Sequence, residues 1–296
     1  MKVLYHKLPT EKSNPKSKFL DSLTREEIFS LMNQENLKIP KAIANQKEKI
    51  IKAIDLVVAS LKNGGRIFFI GAGTSGRLGV LESAELPPTF DTPPTLAQAW
   101  MAGGKKSVFR SEEGAEDEEL KIKSLILRKV TKKDVVIGIA ASGITPFVLS
   151  ALEQAKKIKT NTILVTCNQH QSLAKIAQVV IALGVGPEII AGSTRLKSGT
   201  ATKMVLNMLT TISMVRLGKV YGNRMVDLQA KSKKLKERGI RLVQEITGLN
   251  RPKALAALAK AHWNVKTAIV MVKKNLSYDA AKTELKNSQG FLGMII

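Results

Sequence analysis

The stretch RIFFIGAGTSGRLGVLESAELPPTF, from Arg66 to Phe90, sets an apolar run directly before Gly71, Gly73 and Gly76 and follows them with a helix-like pattern. An apolar run bounded by glycine reads as a buried strand. The G-x-G-x-x-G spacing after it reads as a tight strand-to-helix turn whose bare amides can cradle phosphate. Two ligands compete for such a turn. A dinucleotide site needs a second strand ending in an acid about 20 residues on, to hold a ribose. Here that interval is ELPPTFDTPP, where Asp91 is the one candidate and stands among four prolines that a central strand does not tolerate. Thr74 and Ser75 instead place two hydroxyls beside the amides of a helix N-terminus, which suits a single phosphate monoester. A second loop, AASGIT at 140–145, follows another predicted strand and offers Ser142, Gly143 and Thr145 in the same arrangement. Taken singly, each loop is also what a plain turn with a helix cap looks like. Together they favour a phosphosugar site built from Gly73, Thr74, Ser75, Gly76, Ser142, Gly143 and Thr145.

Outward from this centre, three more apolar runs end in loops rich in small residues: DVVIGIAASG at 134–143, NTILVTCN at 161–168 and VVIALGVG at 179–186. A helix-like PFVLSALEQAKKI lies between the first two, and TLAQAWM at 95–101 is a weaker fifth strand. This alternation predicts an α/β fold with a doubly wound parallel sheet and ligands at the carboxyl ends of its strands. Upstream, Ile50, Ile51, Ile54, Val57, Val58 and Leu61 recur at helical spacing, and NGG at 63–65 ends that helix. The first 45 residues read as an arm that packs on something else, with one short helix over Thr24–Asn33 capped by Thr24 and Glu27. Downstream, KSGTATKMVLNMLTTISMVRLGKVYG at 197–222 is a long helix opened by Ser198 or Gly199. It is apolar around most of its circumference, so it is expected to be buried all round, in the sheet core or in an oligomer interface. The remainder is helical with breaks at GLNRP and NLS. The expected organisation is an N-terminal arm over 1–45, a phosphosugar-binding domain over 46–222 and a small helical domain over 223–296.

Composition narrows the class further. No apolar run approaches the roughly 20 residues of a membrane span, and the first residues, MKVLYHKLPTEKSNPKSKF, hold no signal-peptide core, so a cytoplasmic protein is expected. One cysteine, Cys167, excludes an internal disulfide, and His6, His170 and His262 show no metal-ligand spacing, so no metal is expected. The net charge of +23 raises nucleic acid as a partner. Its distribution argues against it: KSKKLKER at 231–238 is basic whereas RSEEGAEDEEL at 110–120 is acidic, and 4% aromatic residues leave little to stack bases on. A solvated basic surface is expected rather than a nucleic-acid site, with steering of anionic substrates as a by-product open to it.

At this point the chain resembles a known family. The two loops are similar to those of sugar isomerase domains. The segments IGAGTSGRLGVLESAELPPTF, EEGAEDEEL, IAASG followed by TP, VGPEIIAGSTRLKSGTATKMVLNMLTT and GKVYGNRMVDLQA resemble the N-acetylmuramic acid 6-phosphate etherases, from about Ser13 to near the C-terminus. The resemblance implies a flavodoxin-like sheet, a homodimer, no metal or organic cofactor, and removal of D-lactate from a peptidoglycan-derived sugar phosphate. It places the family's acid on Glu85, its second active-site glutamate on Glu116 and a lysine on Lys234. Two positions depart from the family pattern: Ile144 replaces an arginine beside the phosphate loop, and Ser232 replaces an asparagine two residues before Lys234.

The implied reaction takes the proton at carbon 2 of the open-chain sugar, protonates the departing lactate oxygen at carbon 3, and adds water to the enal. Two carboxyl groups in opposite protonation states serve it. Glu85 is expected to close its helix before Pro87 and Pro88, where the dipole disfavours negative charge; Glu116 is expected to start one, where the dipole favours it. As plain structure, Glu85 would be a solvated helix-end residue, Glu116 a helix-start residue and Lys234 part of a solvated charge run. Glu82, three residues before Glu85, is expected to share its face. A phosphosugar-sensing regulator is the alternative reading, since sugar isomerase domains also occur in transcriptional regulators and in the glucokinase regulatory protein. An aldose–ketose isomerase or a deaminating enzyme is a third.

Overall fold

The computed structural model describes residues 8–228 and 232–296, so His6 and the last residues of GKVYGNRMVDLQA lie outside the described residues. The chain forms two compact units, one over 1–83 and 95–210, the other over 84–94 and 211–296.

The first unit begins with α1 (Arg25–Asn36), α2 (Lys38–Ala44) and α3 (Lys47–Lys62). At the start of α1 the expected box forms: the Thr24 hydroxyl accepts from the Glu27 amide at 3.2 Å, and the Glu27 carboxylate accepts from the Thr24 amide at 2.8 Å. The sheet follows with β1 (Ile67–Gly71), α4 (Gly73–Phe90), β2 (Ala97–Met101), α5 (Lys105–Phe109), α6 (Glu119–Lys129), β3 (Val135–Ile139), α7 (Pro146–Lys157), β4 (Asn161–Thr166) and β5 (Val179–Ala182). All five strands are parallel in the order β2-β1-β3-β4-β5. The expected doubly wound sheet is therefore present, and its strand order reverses between β1 and β3, where open α/β sheets bind ligands. Period-two alternation sends Phe68 and Ile70 of β1 into one core with Val136, Leu164 and α6–α7, while Phe69 faces Gly79 of α4 on the other side.

Three elements differ from their sequence pattern. Helix α4 does not stop at Leu86 but continues through Pro87 and Pro88 to Phe90. The two prolines leave the carbonyls of Ser83 and Ala84 without helical partners, at about 3 kcal/mol for an interior proline. Burial of Leu86 and Phe90, four residues apart on one face, offsets this at about 1.5–3 kcal/mol each. Helix α8 (Lys197–Arg216) opens one residue earlier than expected and does not lie wholly in the core of this chain, since Thr200, Asn207, Ile212 and Val215 are exposed. Its first amides are capped by the buried Glu188, whose carboxylate accepts from the amides of Lys197 (3.2 Å) and Ser198 (2.8 Å). The region around Glu116 is a short 3-10 turn, Ala115–Asp117, and α6 starts only at Glu119.

The second unit is helical: α9 (Lys233–Thr247), α10 (Arg251–Lys260), α11 (Val265–Lys274) and α12 (Tyr278–Asn287). The expected breaks appear, one at Gly248 in the left-handed region with Asn250 capping α10, the other at Asn275 with Ser277 capping α12. A third, at His262 and Trp263, both with positive φ, carries no glycine or proline to announce it. Inside this unit the buried Lys266 donates to the carbonyls of Gly218 (2.6 Å) and Gly290 (2.8 Å) and to Asp227 (3.0 Å). Burial pushes its pKa below the ordinary lysine value despite the Asp227 charge.

At the end of the sheet remote from the ligand crevice, Asp134 ties the start of β3 to the start of β1. It accepts from the Arg66 amide (2.8 Å), Nε (3.2 Å) and Nη2 (3.0 Å), and from the Thr131 amide (2.7 Å) and hydroxyl (3.0 Å). Burial alone would raise its pKa. The bonds from Arg66 and Thr131 outweigh that and hold it below the ordinary 3.8. A depressed folded-state pKa means the charge stabilises at neutral pH and ceases to do so as pH falls through that lowered value. Asp134→Asn should therefore cost about 3 kcal/mol at neutral pH, as expected when one partner of a buried pair is lost. Urea unfolding should show the gap to wild type narrowing on acidification to about pH 3; a gap that stays constant would mean the charge is not the stabilising element.

Candidate active site

Where β1 meets α4 there is no room for a side chain. A Cβ on Gly71 would lie 2.7 Å from the Gly76 amide nitrogen, and one on Gly76 would lie 2.6 Å from Met101 Cγ and 2.8 Å from the Gly71 carbonyl oxygen. Gly73, between them, takes φ +53° over open space. The turn thus presents Gly73, Thr74 and Ser75 outward at the first turn of α4. The second loop closes as a turn from Ala140 to Gly143 (2.9 Å), with Gly143 at φ +78° and the Ser142 hydroxyl accepting from the Ile144 amide at 3.3 Å. The end of β4 carries it: Ala141 O accepts from the Cys167 amide (2.9 Å) and the Thr166 hydroxyl (3.2 Å), and Asn168 Nδ2 donates to Ser142 O (2.9 Å). Burial pushes the Cys167 thiol up to about 11, so it packs behind the loop as an unreactive group.

The two loops open on one cavity of about 380 Å³, lined by Gly73, Thr74, Ser75, Ser142 and Thr145 and also by Glu116. Thr145 is the N-cap residue of α7 but makes no capping bond, so its hydroxyl is not committed to the helix. Gly76 and Gly143 stand behind the lining, Gly76 against Met101 and Gly143 against Thr166 and Leu173. Among the described residues no lysine or arginine lines this cavity, and Ile144 stands in the place of an arginine. An anion here would be received by hydroxyls, amides and two helix N-termini. A second cavity of about 390 Å³ shares Ala72, Gly73 and Glu116 with the first and adds Arg77, Ser107 and Ser111.

Several lining residues carry no clear sequence signal. Leu8 and Glu11 of the arm and Gly192 and Thr194 before α8 also line the first cavity. GST at 192–194 does repeat the small-and-hydroxyl composition of the other two loops, and that was a readable sign. The predicted catalytic positions need correction in their local setting. Glu85 is exposed and stands more than a turn before the end of α4, because the helix runs on through the prolines. Glu116 is exposed in a 3-10 turn rather than in the first turn of α6. The opposite-helix-end premise therefore fails for both. Glu82 does not share the exposed face of Glu85. It is buried and held by Lys203 (3.2 Å), by Asn207 (3.0 and 3.2 Å) and by the Thr210 hydroxyl, all from α8. Lys234 is exposed in the first turn of α9, beside a groove lined by Arg238, Arg241 and Arg251.

The fold and the paired loops define a sugar isomerase (SIS) domain protein: residues 111–212 match the SIS domain, and residues 49–156 match the glucokinase regulatory protein N-terminal SIS domain. A phosphoheptose isomerase from Francisella tularensis shares the fold, with a TM-score of 0.51 at 18% identity over 64% of this chain and 100% of that one. Much greater similarity extends over nearly the whole chain. The N-acetylmuramic acid 6-phosphate etherase of Geobacillus thermodenitrificans is 48% identical over 96% of this chain and 97% of its own length. That of Clostridium beijerinckii is 46% identical over 96% and 94%. The chain belongs to the N-acetylmuramic acid 6-phosphate etherase family.

The glycine crossing gives a direct test. Gly76→Ala forces a methyl against the Gly71 carbonyl, and overpacking of this kind costs about 1–3 kcal/mol. Thermal unfolding should show that loss, whereas Gly73→Ala, with open space around it, should pay only the positive-φ penalty, of roughly 1 kcal/mol.

Proposed function

We propose that this protein is an N-acetylmuramic acid 6-phosphate etherase: it cleaves the D-lactyl ether of a sugar phosphate, giving N-acetylglucosamine 6-phosphate and D-lactate. The observation that carries the reading is a single cavity lined by both hydroxyl-bearing loops and by Glu116. A phosphosugar sensor needs the cradle alone; a carboxylate beside it supports chemistry on the bound sugar. The names of the full-length relatives point the same way.

In this mechanism the hydroxyls of Thr74, Ser75, Ser142 and Thr145, with the Gly73 amide, take the phosphate, while the amides of Gly76 and Gly143 are committed to Ala72 O and Ala140 O and shape the two turns. Glu116 removes the proton at carbon 2, made acidic by the aldehyde of the open chain. Glu85 gives its proton to the lactate oxygen as the carbon 3 bond breaks, and water adds to the resulting enal. Lys234 steadies the developing negative charge. These roles rest on the family resemblance, not on the helix ends. The reaction uses neither metal nor organic cofactor, takes place in the cytoplasm, and belongs to a homodimer. The exposure of Phe19, Phe29 and Leu37 on the N-terminal arm supports a protein partner there.

The decisive assay is incubation with N-acetylmuramic acid 6-phosphate and coupled detection of D-lactate; a well-folded protein that releases none refutes the reading. Glu116→Gln should stop exchange of the carbon 2 proton with deuterated solvent, and Glu85→Gln should block lactate release while leaving exchange measurable. The opposite pattern reverses the two roles. For the cradle, Ser75→Ala or Ser142→Ala removes a hydrogen bond to a charged group, worth roughly 1.5–3 kcal/mol. Substrate affinity should fall on the order of tenfold or more, and two variants with wild-type affinity would leave the loops as turns only.

A further inference from the structure

Among the described residues Arg77 is the one cation lining the second cavity, and the partners of its guanidinium are two carbonyls and a hydroxyl. Its Nε donates to Val108 O at 2.8 Å, and its Nη2 donates to Ser107 O at 2.8 Å and to Ser111 Oγ at 3.4 Å. Val108 and Ser107 are adjacent in the last turn of α5, where helical carbonyls lack partners. A planar guanidinium is shaped to bridge two such acceptors, whereas an ammonium is a point charge.

What this fork joins is informative. Arg77 projects from the first turns of α4, the helix that begins with Gly73, Thr74 and Ser75. The segment it grips leads within a few residues to Glu116. That segment is itself tied: the buried Ser107 donates to Glu112 Oε2 at 3.0 Å. It also closes tightly over Gly103, where a Cβ would lie 2.0 Å from Ser107 Oγ and 2.7 Å from Glu112 Oε2. Beyond Glu112 the chain turns at Gly114, φ +77°, and Ala115 is buried in the core beside Ile122 and Phe147. Glu116 thus follows two anchors, the Arg77-held segment and the buried Ala115 directly before it, and is followed by α6, which starts at Glu119 and buries Ile122. Its own side chain is exposed and makes no hydrogen bond or ion pair among the described residues.

We propose that Arg77 is a positioning residue, whose guanidinium fork locks the 107–116 segment to the phosphate-binding end of α4 and so holds Glu116 at a fixed distance from the bound sugar phosphate. The proposal rests on the etherase reading for its catalytic consequence, but the clamp itself is a property of the fold. A structural cap on α5 alone would stabilise the protein without separating binding from turnover. A positioning clamp separates them, because the phosphate cradle does not need it and the carboxylate does.

The test compares Arg77→Ala and Arg77→Lys with the wild-type full chain. Amide hydrogen exchange over 107–117 should accelerate on the order of tenfold in both variants, as local opening becomes easier, while the 140–145 loop stays unchanged. With N-acetylmuramic acid 6-phosphate, kcat should fall on the order of a hundredfold, since a displacement of about 1 Å carries that cost. KM and the affinity for inorganic phosphate should stay within about threefold. Guanidinium ion added to Arg77→Ala should restore part of kcat. The proposal is overturned if exchange over 107–117 does not change, if phosphate affinity falls in parallel with kcat, or if Arg77→Lys keeps the wild-type rate, which would make charge rather than the fork the relevant property. If wild type releases no lactate, the etherase reading fails and the exchange comparison alone decides the clamp.

Discussion

Nothing larger than a hydrogen atom fits on Gly71 or Gly76 where the end of β1 passes the first turn of α4. That constraint sets the geometry of the crevice. Strand and helix meet at backbone contact, so the helix axis begins at the sheet edge, and Thr74 and Ser75 are carried to the point where the strand order reverses. The β3–α7 loop reaches the same point from the neighbouring strand, held from behind by Thr166, Cys167 and Asn168. One steric rule thus explains both the glycine spacing and the meeting of two hydroxyl-bearing loops on one cavity. The phosphate-binding reading follows from donors that are already in place before any ligand arrives.

The fold was legible because each strand is a short apolar run closed by small residues, and such runs have few other solutions once helices alternate with them. The cap at Thr24 was legible for a local reason, a side-chain acceptor three residues ahead of an amide, and the same geometry at Asn250 and Ser277 closes the breaks expected at GLNRP and NLS. Errors arose where tertiary packing overrode a local rule. Pro87 and Pro88 forecast a helix end, yet the burial of Leu86 and Phe90 keeps the chain helical to its last turn. The acidic run at 112–119 forecast a helix start, yet left-handed Gly114 and buried Ala115 impose a 3-10 turn first. Arg77 sits inside the most informative stretch of all but looks like an ordinary solvated helix residue, because its partners are backbone carbonyls some thirty residues away. Sequence spacing does not encode such partners.

The charge of the chain acquires a local meaning from the same geometry. Among the described residues the cavity at the strand ends is lined by two carboxylates, Glu11 and Glu116, and by no cationic side chain, so the excess of lysine and arginine among them is not concentrated there. Neutral donors favour release as well as capture, since an anion held by amides and hydroxyls forms no buried ion pair whose rupture costs several kcal/mol. A positive surface attracts anions at longer range, an effect that weakens with salt over a Debye length of about 8–10 Å.

The N-terminal arm is best understood through an ion pair that is expensive to bury. Glu35 is 2% exposed and is held by the equally buried Lys197, the first residue of α8, and by Lys38. Burial alone would raise its pKa; the two lysines reverse that and keep it below the usual carboxylate value. Desolvating both partners offsets much of their attraction, so the pair contributes registry more than net stability. Here the registry concerns the cavity. With α1 fixed against the start of α8, the chain ahead of it is drawn along the 187–192 segment, where Asn14 Nδ2 donates to Pro187 O at 3.3 Å and the Gly192 amide donates to Thr10 O at 3.1 Å. Leu8 and Glu11 thereby become walls of the cavity that the sheet opens. A segment that reads in sequence as an appendage completes the site, and it does so through contacts separated by more than 170 residues, the kind of information that only the folded chain contains.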